Sequence, residues 1–184
     1  MKVLAISGSL RRDSYNTILL RAAAEVAPEG IEVELYDGLK DIPPYDEDDD
    51  VELAPDAVAR FRAALLDADA VLFATPEYNG SIPGQLKNAL DWASRPFATN
   101  PLRNKPVTVV GASTGGFGAV WAQGDLRRVL KTIGARVIGD EVPVPAVHTR
   151  TDDAGRLADA ETEARLREVL EALATAVEAR SLAA

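Results

Sequence analysis

The chain contains no cysteine, one histidine and one methionine in 184 residues. Without a thiol, disulfides, thiolate catalysis and cysteine-ligated metals are excluded. The lone histidine, His148, has no visible partner. Histidine titrates near neutrality and can serve as an acid, but an isolated one reads as a surface or interface residue. No apolar run approaches the ~20 residues a membrane span needs. The opening stretch Met1–Ile6 is too short for a signal peptide and turns polar at Ser7. The cytoplasm is therefore the simplest compartment. Basic residues are outnumbered, 20 Lys and Arg against 29 Asp and Glu, for a net charge of −9. Such a chain repels nucleic acid and anionic membrane surfaces.

What is present suits a packed α/β protein. Hydrophobic residues make up 47% of the chain, enough for a full core. The length fits one domain of the usual ~100–200 residues, so residues 1–184 read as one unit with no linker or repeat.

Strand-like and helix-like segments alternate. Lys2 to Ile6 is a short apolar run that ends at Ser7-Gly8-Ser9. Asn16 to Ala27 suits a helix stopped by Pro28 and Gly30. Ile31 to Tyr36 alternates apolar and polar with period two, a strand signal. Pro55 opens a helix with the stripe Val58, Phe61 and Leu65. Ala70 to Ala74 is a third strand, and Pro83 to Ala93 a third helix. Val107 to Gly111 is a fourth strand. Leu126, Val129, Leu130 and Ile133 mark a helix that Gly134 ends. Arg136-Val137-Ile138 starts a fifth strand. Leu166, Val169, Leu170, Leu173 and Val177 define the last helix. This alternation predicts a five-stranded parallel sheet with helices on both faces, doubly wound in the order 2-1-3-4-5. In such sheets ligands sit beyond the carboxyl ends of the strands, near the switch point.

Three loops fall there. The first, Gly8 to Thr17, matches neither G-x-G-x-x-G nor the P-loop pattern. It offers hydroxyls at Ser9, Ser14 and Thr17, a guanidinium at Arg11, and Asn16 at the helix start. Together these suit a terminal phosphate monoester, although capping of an ordinary turn explains them as well. The second, Thr75 to Gly84, has two prolines and two glycines that stiffen its backbone. Stiff amides, an aromatic wall at Tyr78 and the side chain of Asn79 suit a flat heterocycle. A rigid connector is the plainer reading. The third, Ser113 to Gly118, pairs Gly115 and Gly116 for close backbone approach, with Ser113 as a donor. Their convergence predicts a ligand with a phosphate at one end and a planar polar ring at the other. FMN fits that description.

Gly8-Ser9-Leu10-Arg11, Ser14 and Asn16 are followed by Pro76-Glu77-Tyr78-Asn79-Gly80-Ser81-Ile82-Pro83-Gly84 and Leu86-Lys87-Asn88-Ala89-Leu90-Asp91-Trp92. This series resembles the NADPH-dependent FMN reductase family, which includes quinone, azo-dye and chromate reductases. The likeness runs to about His148. It implies a flavodoxin-like fold, non-covalently bound FMN, and NADPH or NADH as co-substrate. It also implies phosphate contacts from Ser9, Arg11, Ser14, Asn16 and Thr17. Pro76, Glu77, Tyr78, Asn79 and Gly80 would lie beside the isoalloxazine, and Ser113 and Gly115 near its other edge. The resemblance further implies a homodimer or homotetramer, a small-molecule acceptor such as a quinone, free flavin or azo compound, and no metal.

The hydride step needs no acid–base side chain, so no catalytic residue is named. An electron carrier or redox sensor of the same fold is the alternative, and a flavin-free phosphate-binding module a third. Several residues have plainer explanations than function. The acidic run Tyr45 to Glu52 lacks calcium-loop spacing and reads as a solvated loop. Trp92 and Trp121 suit packing more than a substrate mouth. Gln123, Arg127 and Arg128 read as solvated helix residues rather than contacts to a nicotinamide phosphate.

Overall fold

The computed structural model describes residues 1–50 and 54–182. Strand β1 (Lys2–Ser7) lies between β2 (Glu32–Tyr36) and β3 (Ala70–Ala74), and β4 (Pro106–Ala112) follows β3. All these pairings are parallel, with Ala5 opposite both Leu35 and Leu72. The order β2-β1-β3-β4-β5 is the one the alternation predicts. Chirality underlies this regularity, because each strand–helix–strand crossover packs back on the sheet with one hand.

The fifth position differs from expectation. Two short strands occupy it, β5 (Arg136–Val137) and β6 (Val142–Val144), both parallel to β4. Gly139, at φ 66°, breaks the extended run between them. The Arg127 side chain spans the break, pairing with Glu141 at 3.2 Å and donating to the Gly139 carbonyl.

Helices cover both faces. On one side α2 (Asp56–Asp67), α3 (Gly84–Ala93) and α4 (Val120–Ile133) bury Val58, Phe61, Leu65, Leu86, Leu90, Leu126 and Leu130. On the other, α1 (Tyr15–Glu25) and α5 (Ala160–Ser181) bury Leu19, Leu20, Leu166, Leu170 and Leu173. Every residue of β3 and β4 is buried, which explains why both are apolar at every position but Thr108. Each fully buried Leu or Phe stabilises the fold by about 1.5–3 kcal/mol. No described helix is long and apolar enough to cross a membrane.

The helices start and stop where local chemistry directs. Ser14, not Asn16, caps α1, its hydroxyl accepting the Asn16 amide at 3.2 Å. Gly134, at φ 101°, ends α4. Asp159 caps α5 and also holds Arg150 at 2.6 Å. The acidic run is less solvated than its sequence suggests. Asp50 is bound by Arg62 at 2.9 Å and approached by Arg95 at 3.8 Å. Glu52, the last acid of that run, lies outside the described residues.

The segment between β2 and α2 is pinned by α3. Gln85 donates to the carbonyls of Leu39 and Ile42, while Asn88 and Trp92 donate to that of Pro43. Asn88 also accepts the Tyr45 amide at 2.7 Å. Trp92 is fully buried and meets Tyr45 edge-on, so it is a packing residue.

Candidate functional site

The three loops converge beyond the carboxyl ends of β1, β3 and β4. They enclose an open cleft of about 360 Å³. From the first loop come Ser9, Arg11, Ser14, Tyr15 and Asn16; from the second, Pro76, Glu77 and Tyr78; from the end of β4, Ala112, Ser113 and Thr114. The volume lies in the ~300–1,000 Å³ range of small-molecule sites.

One end of the cleft is cationic. The Arg11 guanidinium is exposed and makes no ion pair among the described residues. It rests over the Tyr15 ring at 5.4 Å. Ser9 accepts the Arg11 amide at 3.4 Å, which folds the loop back on itself. The first turn of α1 adds backbone N–H groups at the positive end of its dipole.

Asn16 is a strut. Its side-chain nitrogen donates to the Ala112 carbonyl at 3.2 Å, and its oxygen accepts the Ala112 amide at 3.0 Å. The start of α1 is thereby locked to the end of β4 across 96 residues of sequence. Thr17 points elsewhere: its hydroxyl donates to Ser7 Oγ at 3.0 Å, and it lines a neighbouring cavity.

The other end of the cleft is flatter. Pro76 and Thr75 are buried, and Thr75 donates back to the Pro76 carbonyl at 2.8 Å. Tyr78 and Ser81 exchange two backbone hydrogen bonds around Asn79-Gly80, whose φ angles of 54° and 76° give the tight turn that an Asn-Gly pair favours. Asn79 and Gly80 therefore form an exposed tip and do not line the cleft. Two contacts brace this loop on α4. Glu77 accepts the Ala122 amide at 3.1 Å, and Ser81 donates to Asp125 at 2.7 Å. The Ser81 hydroxyl holds the Asp125 carboxyl below the usual range, with Arg128 adding to the effect.

The Glu77 contact fills a gap in α4. Its N-cap, Ala119, has φ 60° and no side chain able to cap. A carboxylate from the second loop serves instead, where the helix dipole favours negative charge.

The third loop differs in detail from expectation. Gly115 and Gly116 do not line the cleft. The glycine that the packing requires is Gly118, where a Cβ would fall 2.5 Å from the Val144 nitrogen. Gln123 is fully buried, donating to the Gly118 carbonyl and accepting the Val142 amide. Together with the buried Arg127 it organises β6, so neither is a solvated helix residue nor free for a nicotinamide phosphate. Arg128 is exposed and pairs with Asp125. Trp121 stacks on Phe117 at 4.8 Å, both exposed, and His148 is exposed. Among the cleft residues, Tyr15, Ala112 and Thr114 carry no sequence signal beyond adjacency to Ser14 and Ser113.

The family model described as NADPH-dependent FMN reductase matches residues 1–149. An NAD(P)H-dependent FMN reductase from Pseudomonas aeruginosa is 44% identical over 94% of this chain and 93% of its own. A 2-hydroxy-1,4-benzoquinone reductase from a Burkholderia species is 35% identical over 98% of each chain. The solved structure of the flavoenzyme NAD(P)H:(acceptor) oxidoreductase from Paracoccus denitrificans superimposes with a TM-score of 0.83 at 34% identity, covering 96% of this chain and 97% of the other. These matches show that the chain belongs to the NADPH-dependent FMN reductase family, and its fold is flavodoxin-like.

Proposed function

We propose that the chain holds FMN in the three-loop cleft and passes electrons from a reduced nicotinamide nucleotide to a small quinone. One observation carries the reading: a single cleft joins the Arg11 guanidinium, without an ion pair among the described residues and at a helix N-terminus, to a flat wall of rigid backbone. The first end fits a phosphate monoester and the second a planar ring, which are the two ends of FMN. The name of the Burkholderia relative supports a quinone as acceptor.

When bound, FMN supplies the hydride chemistry. The protein's part is to bind and orient. Arg11 would hold the phosphate with a charge-assisted contact, with Ser9 and Ser14 offering hydroxyls. Pro76 and Tyr78 would flank the ring, and Ser113 would offer it a hydroxyl. Asn79 and Gly80, at the exposed turn tip, would act through the turn that orients Tyr78. Asn16 and Glu77 act at one remove, holding the first loop to β4 and the second to α4.

We read residues 1–184 as one domain, because the six strands among the described residues share one sheet. The exposed Tyr78 of the cleft and the exposed pair Phe117 and Trp121 favour a homodimer or homotetramer, and the absence of cysteine suits the cytoplasm.

Steady-state oxidation of NADPH and NADH with 1,4-benzoquinone as acceptor tests the proposal. Quinone-dependent turnover that requires FMN is the expected result. Protein that retains FMN yet oxidises neither nucleotide would instead be an electron carrier.

A further inference from the structure

Two side chains of the three-loop cleft rest on one another. The Arg11 guanidinium stands over the ring of Tyr15, 5.4 Å from its centroid, and both residues line the cleft. They are held very differently. Arg11 is exposed, lies in the loop before the Ser14 cap, and makes no ion pair among the described residues. A long side chain in that position samples many rotamers, and an anion that binds it must first order it.

Tyr15 is fixed. It is the first residue of α1, is half-buried, and packs against the core on the side of the sheet covered by α1 and α5. The residues on either side lock its backbone. Ser14 caps the helix, and Asn16 is bonded to Ala112 of β4. The ring is therefore a rigid platform under a mobile cation.

The choice of an aromatic support has a chemical consequence. An aromatic face attracts a guanidinium through its quadrupole, and the flat group stacks on it. The donors of arginine lie in the guanidinium plane, so stacking consumes none of them. A carboxylate partner would order Arg11 as well, but it would compete with an anionic ligand for the same N–H groups.

We propose that Tyr15 is a positioning residue for the cofactor phosphate: its ring pre-orders the Arg11 guanidinium to receive a terminal phosphate monoester. This role rests on reading the cleft as the FMN site. Tyr15 acts through Arg11, so its effect is confined to ligands that carry the phosphate.

The test titrates the full-length protein, stripped of flavin, with FMN and with riboflavin, which lacks the phosphate. Flavin fluorescence reads both affinities in wild type, Y15F, Y15L, R11A and R11A/Y15L. Y15L should bind FMN about three- to tenfold more weakly than the wild type, the span of a cation–π contact, with riboflavin binding unchanged. Y15F keeps the ring and should bind FMN as the wild type does. In the R11A background, Y15L should cause no further loss, because the two residues are coupled. A second readout needs no change at Tyr15. The ring shields the side-chain protons above it, so the Arg11 δ-proton resonances of the flavin-free wild type should lie upfield of those of an unstacked arginine. Unshifted resonances would overturn the proposal. So would a Y15L protein that keeps the wild-type ratio of FMN to riboflavin affinity, or a Y15L loss that persists undiminished in R11A. Wild-type protein that takes up neither flavin would remove the flavin reading and this role with it, whereas normal FMN uptake with an unchanged ratio in Y15L removes this role alone.

Discussion

The side chain of Asn16 and the main chain of Ala112 exchange two hydrogen bonds, at 3.2 and 3.0 Å, and both residues are buried. Neither group has water as a substitute partner at that depth. The N16A variant leaves an amide and a carbonyl of Ala112 unpaired and should lose about 1–3 kcal/mol of stability. Urea unfolding reads this directly. FMN affinity should fall with it, since the first loop loses its anchor to β4. An unchanged unfolding midpoint would show that the strut contributes nothing.

Glu77 should separate charge from hydrogen bonding. E77A removes the remote cap of α4 and should cost about 1 kcal/mol, in the range of an ordinary N-cap. E77Q keeps an acceptor for the Ala122 amide and should retain most of that stability. FMN dissociation, followed by flavin fluorescence, should be faster in E77A than in E77Q. Identical rates in the two variants would contradict the bracing role.

Asp159 joins three groups at the start of α5: the Thr162 amide at 3.1 Å, the Thr162 hydroxyl, and Arg150 at 2.6 Å. The Thr162 hydroxyl holds its carboxyl below the usual range, with Arg150 reinforcing the shift. D159A should lower stability by about 1–2 kcal/mol, the upper range for a cap. D159N should recover part of it. The loss should appear in thermal unfolding with little change in FMN affinity, because α5 stands apart from the cleft.

Lys105 gives a pH signal. Its ammonium group donates to the Ala68 carbonyl just past the end of α2, and burial pushes its pKa from 10.5 down to about 8. The unfolded chain then holds more protons than the folded one between those values, so this group's contribution to stability rises with pH across that window. The stability of wild type relative to K105M should increase from pH 8 to 10.5. A flat or falling difference would contradict it.

Much of the fold is legible in the sequence because burial writes it there. Strand β3 is apolar at every position, and the Val58, Phe61 and Leu65 stripe of α2 repeats with helical spacing. The start of the fifth strand, Arg136-Val137, is legible, but its interruption at Gly139 is not, because the Arg127 side chain that spans the break looks like surface until the Glu141 partner is placed beside it. The site divides in the same way. Ser9, Arg11 and Tyr78 stand out by type and loop position. The structural tasks of Asn16, Glu77 and Gln123 depend on partners 96, 45 and 19 residues distant, which no local pattern specifies. Gly118 is needed for its contact with Val144, which also lies outside its own loop.

The most direct measurement is the visible spectrum of the FMN-loaded protein under anaerobic conditions, before and after NADPH is added. Stoichiometric FMN that bleaches on addition, and whose colour returns with 1,4-benzoquinone, is the predicted result. A protein that stays colourless after incubation with FMN would contradict the assignment of the three-loop cleft.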